Sequence, residues 1–326
     1  MPVTPINQIC CGDSLTALRG FPDDSIDMCM TSPPYWALRD YNINGQIGLE
    51  YTVAEYIDRL IAVFAEVKRV LKATGTCWVN IGDTYAGSSK GVPGKSSQLH
   101  PKSKESWKFK KLPQIEKYIS KCLLQVPARF SIAMTDIIGF ILRNEIIWHK
   151  PNAMPDSATD RFTNDYEKFF FFVKTQRYYF NQQSEPLSDE TLARSKRGTI
   201  GGKSKGYSGF GAANQIAYHA KVNSGAAITR NKRTVWSIST SSNHAAHFAT
   251  YPEKLIEIPI MAGCPEGGIV LDPFVGSGTT AAVAKQLGRR YIGIDINPEY
   301  VKMAERRLNA FEVLPFGNML CEETCR

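Results

Sequence analysis

The segment GIVLDPFVGSGTTAAVAKQLGRRYIGID, residues 268–295, constrains the fold more than any other part of the chain. An apolar run (GIVLD) meets a Gly-rich turn, an Ala-rich helical stretch (TTAAVAKQL) follows, and a second apolar run (YIGID) ends in a carboxylate 19 residues beyond Gly276. Strand, turn, helix and strand make the unit from which nucleoside-binding α/β sheets are built. Gly276 and Gly278 let the backbone approach a ligand closely, the helix N-terminus favours negative charge, and Asp295 can accept from both hydroxyls of a ribose. The spacing G-x-G-x-x-A also fits the dinucleotide fingerprint, so the loop by itself leaves a nicotinamide-dependent dehydrogenase open. The NTPase loop is excluded, because a four-residue-spaced G-x-x-x-x-G-K-[ST] is absent.

Five other apolar segments bounded by turn residues read as strands: INQICC (6–11), IDMCMT (26–31), TCWVNI (76–81), EIIWHK (145–150) and KFFFFVK (168–174), making seven. Helical periodicity fills the gaps, in SLTALRG, YIDRLIAVFAEVKRVLK, residues 130–142, PEKLIEIPI, TTAAVAKQL and PEYVKMAERRLNAF. Strands alternating with helices predict an α/β fold, a parallel sheet covered on both faces. Only 48 residues follow Gly278, so the other strands must come from the N-terminal part. A conventional dinucleotide fold begins with its glycine loop; here the nucleoside half is expected last and the reaction half first.

Charge adds a second constraint, because the formal +8 of this 326-residue chain is localised. Residues 84–112 hold seven Lys and one acid, Glu105, and residues 191–252 hold nine Lys or Arg and no acid. These segments lack clear periodicity and leave the remainder mildly acidic, the pattern of a body that meets phosphates through basic loops. Solvated loops without a partner would carry the same charge, but 62 residues without a carboxylate favour nucleic acid. The eight cysteines form no C-x-x-C, so disulfides and zinc are not expected, and no metal is required. The N-terminal MPVTPINQICCGD has no basic stretch followed by an apolar one, and no apolar run is long enough for a bilayer. A cytoplasmic protein without membrane association is expected.

The chemistry points to TSPPYW, Thr31 to Trp36, which follows IDMCMT and so lies at the carboxyl end of a strand, where α/β enzymes place reactions. Two prolines fix the backbone and remove N–H groups, leaving carbonyls as acceptors between Ser32 and the aromatic Tyr35. Such a turn suits a planar amine, whose NH₂ is held by acceptors while a ring stacks on its heterocycle. A Pro-rich turn with a buried aromatic is the structural alternative.

Together, TSPPYW and DPFVGSGTT resemble the S-adenosylmethionine-dependent DNA amino-methyltransferases, and TSPPYW preceding the glycine loop looks like their circularly permuted β class. The resemblance covers most of the chain. It implies a Rossmann-like, seven-stranded methyltransferase sheet built from both ends, with residues 1–180 as the catalytic half, a mobile basic loop at about 84–121, a target-recognition region at 181–235 and the cofactor half at 236–326. S-adenosyl-L-methionine is the implied cofactor. Asp13 would contact its adenine, Asp295 its ribose, and Asp272, Pro273, Phe274, Gly276 and Gly278 its methionine part, with Thr31 and Thr279 beside them. HFATYPEKL (247–255) resembles the motif that closes over the cofactor, through Phe248 and Pro252. From the residues alone, Asp13 could instead cap SLTALRG, Pro252 suits a first helical turn, and Asn297 with Pro298 reads as a cap. Trp148, His149 and Lys150 read as packing and surface, although the family places that region near the flipped base.

The implied substrate is double-stranded DNA, with Ser32, Pro33, Pro34 and Tyr35 as the catalytic group. Lys102, Lys104, Lys108 and Lys110 would grip the backbone, and Arg194, Arg197, Lys203, Lys205, Arg230 and Arg233 would face the recognition site. A cytosine-C5 enzyme needs a thiolate in Pro-Cys-Gln, whereas Cys264 sits in GCPEGG. Ser before Pro-Pro-Tyr is the usual mark of cytosine-N4 members, where adenine-N6 members usually have Asp or Asn. Cytosine-N4 is the expected target atom and adenine-N6 the alternative. A homodimer and a separately acting restriction endonuclease are compatible with this reading. A dehydrogenase and a non-catalytic DNA-binding protein of the same fold are its rivals; the late glycine loop disfavours the first and the intact Ser32–Tyr35 group the second.

Overall fold

The computed structural model describes residues 4–38, 40–41, 43–86, 119–196, 221–222, 224, 229–240 and 251–310. The chain divides into a larger unit, residues 1–180 with 235–326, and a smaller one, Asn181–Thr234. In chain order the strands are β1 (Gln8–Cys11), β2 (Ile26–Thr31), β3 (Leu71–Ile81), β4 (Ile141–His149), β5 (Tyr166–Val173), β6 (Ser184–Pro186), β7 (Thr229–Asn231), β8 (Val235–Ser237), β9 (Ile269–Asp272) and β10 (Arg290–Asp295). The helices are α1 (Ser14–Arg19), α2 (Val53–Val70), α3 (Val126–Asp136), α4 (Asp189–Lys196), α5 (Glu253–Gly263), α6 (Thr279–Gln286) and α7 (Pro298–Ala310).

Eight strands form one sheet in the order β1-β10-β9-β2-β3-β5-β4-β8. All seven expected strands are in it; the eighth, β8, is a three-residue edge strand parallel to β4. The sheet is mixed rather than wholly parallel, because β5 runs antiparallel to both β3 and β4. The cause is local: no helix separates β4 from β5, and without a crossover consecutive neighbours pair antiparallel. The helix expected over 130–142 starts and stops earlier. Asp83 Oδ1 accepts from the Val126 amide at 3.0 Å at its start, and Gly139 at φ +75° turns the chain into β4, so Ile141 and Leu142 are strand residues.

Burial on both faces explains the run FFFF. Alternate residues of a strand point to opposite sides, and Phe169 and Phe171 join one buried cluster while Phe170 and Phe172 join another. The first cluster includes Met28, Met30 and Trp78 with Leu255, Ile256 and Ile260 of α5 and Val283 of α6. The second gathers Leu18 of α1, Phe130 of α3 and the apolar stripe of α2, Tyr56, Leu60, Phe64 and Val67. That stripe follows helical spacing, and a reciprocal Thr52–Glu55 capping box starts the helix.

The sheet order positions the site. From β9 the chain runs through α6 to β10 on one side, and from β2 through α2 to β3 on the other. The ends of β9 and β2 therefore flank a topological switch point, where open α/β sheets leave a crevice. In the smaller unit, β6 and β7 pair antiparallel with Glu185 opposite Arg230.

Candidate active site

A single cleft of about 560 Å³ collects Ser32, Pro33, Pro34 and Tyr35 together with Asp13, Phe274, Gly276, Thr279 and Asp295. It lies at the edge where β1, β2, β3, β9 and β10 end, so residues more than 260 positions apart in sequence meet there. The volume is in the range of small-molecule and cofactor sites.

On the glycine-loop side, Asp295 ends β10 and its carboxylate accepts from two backbone amides, Gly276 at 2.9 Å and Asn297 at 2.8 Å. It thus fixes the loop and the start of α7 while lining the cleft. Burial pushes its carboxyl upward, and the Asn297 and Gly276 amides oppose that. Asp13 caps α1, its Oδ2 accepting from the Thr16 amide at 2.8 Å, and also lines the cleft, so both readings of it hold structurally. Gly276, at φ +51° with open space where a side chain would stand, fits a close backbone approach.

Several expected contributors serve this wall from behind. Gly278 is absent from the cleft: a Cβ there would meet Ala304 of α7 at 2.8 Å, so its missing side chain admits a helix rather than a ligand. Asp272 is buried beneath the loop and surrounded by donors, Thr31 Oγ1 at 2.5 Å, Thr280 Oγ1 at 2.5 Å, the Phe274 amide at 3.0 Å and Tyr251 Oη at 3.3 Å. Burial pushes its carboxyl up to about 6 against those four hydrogen bonds. Thr31 is likewise fully buried, and the Pro273 carbonyl accepts from Ser14 Oγ at 2.5 Å. Thr31, Asp272 and Pro273 therefore shape the loop without facing the cleft. Pro252 is a buried N-cap of α5; its neighbour Tyr251, within HFATYPEKL but not one of the two residues expected to contribute, lines the cleft instead. Asn297 caps α7, accepting from the Glu299 amide at 2.9 Å.

On the opposite wall, Tyr56 Oη donates to the Pro34 carbonyl at 2.8 Å and braces the turn. Among the described residues nothing donates to the Pro33 carbonyl, which leaves it as an acceptor. The Tyr35 ring lies against the end of β3 because residue 82 is glycine: a Cβ there would stand 2.6 Å from Tyr35 Cε2. Tyr35 Oη donates to Glu167 Oε2 at 2.6 Å, with Asn80 Oδ1 a second acceptor at 3.2 Å. Glu167 Oε1 pairs with Lys150 Nζ, which stands 4.5 Å from the centre of the Trp148 ring. Burial raises the Tyr35 hydroxyl well above its ordinary value, the Glu167 charge raises it further, and the nearby Ser32 hydroxyl opposes both.

Glu167, Lys150, Asn80 and Trp148 were missed as site residues, and Lys150 is not the surface residue expected. Antiparallel pairing of β5 with β4 sets Glu167 opposite Trp148, so the start of β5 meets the end of β4 at the cleft. The available signal was a pair of charges bounding otherwise apolar strands. His149 stays at the surface, Nδ1 2.9 Å from Ser237 Oγ.

For DNA contacts the described residues are fewer. Phe248, Lys102, Lys104, Lys108, Lys110, Arg197, Lys203 and Lys205 lie outside them, as does the side chain of Arg194. In the smaller unit Arg230 Nε and Arg233 Nε both donate to Glu185 Oε1, at 2.9 and 2.6 Å. Glu185 thus occupies both guanidinium groups in part, and Arg230, only 26% exposed in its side chain, is a strut within its unit. Among the described residues no His, Cys, Asp and Glu cluster is arranged to hold a metal, and no helix is long and apolar enough to cross a membrane.

Comparison with known proteins agrees with this geometry. Residues 26–306 match the DNA methylase model of N6/N4 methyltransferases. The Type II methyltransferase M.Cfr9I of Citrobacter freundii is 38% identical over 304 residues, covering 91% of this chain and 86% of the relative. The Type II methyltransferase M.SmaI of Serratia marcescens is 35% identical, covering 92% and 90%. Among solved structures, the cytosine-N4-specific PvuII DNA methyltransferase superposes with a TM-score of 0.60 at 23% identity, covering 94% of this chain and 87% of that one. M1.HpyAVI in complex with SAM gives 0.53 at 19%, covering 93% and 98%. The chain belongs to the N6/N4 DNA methylase family.

Proposed function

We propose that the chain is a modification methyltransferase that moves a methyl group from S-adenosylmethionine to the N4 amine of a cytosine flipped out of duplex DNA. The observation that carries this is the juxtaposition, in one cleft, of the Ser32–Tyr35 turn with the Asp295-anchored glycine loop. The cofactor fits the residues present. Asp295 keeps carboxylate lone pairs for the ribose hydroxyls, Asp13 stands nearby for the adenine, and Gly276 allows close approach of a chain passing Phe274. When bound, S-adenosylmethionine supplies an electrophilic methyl on a sulfonium.

The chain's own residues must then hold and polarise an amine. Ser32 and the Pro33 carbonyl are acceptors for its N–H groups, and the Tyr35 ring offers a face for the heterocycle. Cys264 is no nucleophile for ring-carbon methylation: it is buried outside the cleft, and burial pushes its thiol up to about 12. Ser32 favours cytosine-N4, with adenine-N6 the alternative. The basic segments 84–121 and 181–235 are proposed to grip DNA and to read the target, and a cognate restriction endonuclease is the proposed functional partner of a chain so close to Type II methyltransferases.

The test is mass spectrometry of nucleosides from DNA modified by the chain. N4-methylcytosine is expected. N6-methyladenine would replace the assignment with the alternative, and 5-methylcytosine would overturn amine transfer altogether.

A further inference from the structure

We infer that Phe162, on the loop between β4 and β5 beside the cleft, is a wedge that enters duplex DNA where the target base leaves the stack. The inference rests on the flipped base proposed above, but not on which base is methylated.

The loop joins His149 at the end of β4 to Tyr166 at the start of β5. It is closed at its neck, where the Lys150 amide donates to the Asp165 carbonyl at 2.7 Å. It is also braced inside, where Asp156 accepts from the Ala158 amide at 3.1 Å and pairs with Arg161. Asn152, Ala153, Met154 and Asn164 of this loop line the cleft. Phe162 stands two residues before Asn164 and is 97% exposed. Single apolar residues on a surface are ordinary. Here, however, the three most exposed large ones among the described residues are Phe162, Met154 at 87% and Ile119 at 86%. The first two share this loop, and Ile119 lies two residues before Lys121, whose ammonium pairs with Asp160 of the same loop at 2.5 Å.

Charge identifies what covers the ring. Backbone hydrogen bonds of 2.8 Å tie Ala86 to Lys121 and Cys122, and the Arg161 guanidinium lies 4.4 Å from the centre of the Tyr85 ring. The stretch of chain that carries the seven Lys of residues 84–112 therefore begins and ends at the loop that holds Phe162. Asp156 and Asp160 are each paired with a cation, so neither opposes a phosphate backbone uncompensated. An apolar ring between a base-sized cleft and a lysine-rich segment is complementary to a duplex, phosphates to the lysines and stacked bases to the ring. A base turned into the cleft leaves a gap of roughly 3.4 Å in its strand, close to the thickness of an aromatic ring. A side chain in that gap replaces part of the lost stacking and hinders the return of the base.

The experiment uses the full chain. The sequence it modifies is located by mapping methylated positions in DNA from cells expressing it, and two synthetic duplexes then carry that sequence, one fully paired and one with an abasic site opposite the target base. Phe162→Ala is expected to slow single-turnover transfer from tritiated S-adenosylmethionine about tenfold or more on the paired duplex. On the abasic duplex, where no pair has to be broken, the expected loss is less than about threefold. Donor affinity by calorimetry should stay within about twofold, and Phe162→Leu, which keeps an apolar wedge, should retain at least about a third of the wild-type rate. Equal losses on the two duplexes would overturn the inference and mark Phe162 as a general contact. A Phe162→Ala rate within threefold of wild type on the paired duplex would overturn it as well, as would a parallel loss of donor affinity. Nucleosides from the same reactions separate the wedge from the base assignment: N6-methyladenine with the expected kinetics would sink cytosine-N4 and leave the wedge intact, whereas wild-type transfer to no DNA at all would overturn both.

Discussion

Asp295→Asn changes charge and proton count with almost no change in volume, and its effect can be worked from two distances. The wild-type carboxylate spends one oxygen on Asn297 N at 2.8 Å and the other on Gly276 N at 2.9 Å. An amide has one acceptor oxygen, so its NH₂ must face one of those backbone N–H groups, donor against donor. Losing one hydrogen bond to a charged group costs about 1.5–3 kcal/mol. That loss falls on the protein alone and should lower Tm by about 2–4 °C for each kcal/mol. The same change withdraws one of the acceptors proposed for the ribose hydroxyls, a further loss of about 1.5–3 kcal/mol, or about 10- to 150-fold in Kd. Calorimetry with S-adenosylmethionine and thermal unfolding without it separate the two effects. A lowered Tm with Kd within twofold of wild type would remove the ribose role and keep the loop anchor; no change in either would refute the reasoning entirely.

Asp272 should impose a pH slope on stability. Its carboxyl is pushed from 3.8 up to about 6, so the native state holds the proton more tightly than the unfolded one, and stability falls by up to about 3 kcal/mol as pH rises between roughly 4 and 6. Asp272→Asn should flatten that slope in urea melts at the two ends of the window, and an undiminished slope would assign it to other groups. Gly82→Ala would set a Cβ 2.6 Å from the Tyr35 ring and displace it; a loss of about 10- to 100-fold in single-turnover rate is expected with donor affinity retained, and an unchanged rate would show that the ring position does not matter. Neutralising Lys102, Lys104, Lys108 and Lys110 should reduce the slope of log K against log salt for DNA by roughly 0.9 for every phosphate these lysines neutralise in the wild type. An unaltered slope would place them away from the DNA.

The fold was legible where one residue type answers to one cause. Apolar runs such as GIVLD and KFFFFVK mark strands covered on both faces, and the spacing of Tyr56, Leu60, Phe64 and Val67 marks a helix covered on one. What the runs do not carry is direction. Whether β5 lies parallel or antiparallel depends on the absence of a helix between residues 150 and 165, a matter of connection rather than of the strand's own residues. The helix expected over 130–142 ends early, at Asp136, for a similar reason: apolar residues resume after Asp136 and run on into β4, with Gly139 marking the change.

The site divides along the same line. Ser32 through Tyr35, Gly276, Asp295 and Asp13 are adjacent in sequence to strand ends or turns that announce themselves, and they line the cleft. Asp272, Thr31 and Gly278 carry the same motif residues, yet they hold the loop from beneath. A motif selects residues needed for a backbone shape as strongly as those that touch a ligand, and only burial and partners tell them apart. Glu167 and Lys150 were hidden for the opposite reason, since no local pattern links them. Each is a charge at the boundary of an apolar strand, where a solvated terminus is the ordinary expectation. Their meeting depends on register: Trp148 opposite Glu167 brings the carboxylate to the end of β4, and one hydrogen bond from there reaches Tyr35. A two-residue slip of β5 would preserve every buried phenylalanine on its proper face and carry Glu167 away from the tyrosine. The aromatic core thus fixes which side each residue faces, and the polar chain through Tyr35, Glu167 and Lys150 adds the distinction the core cannot make.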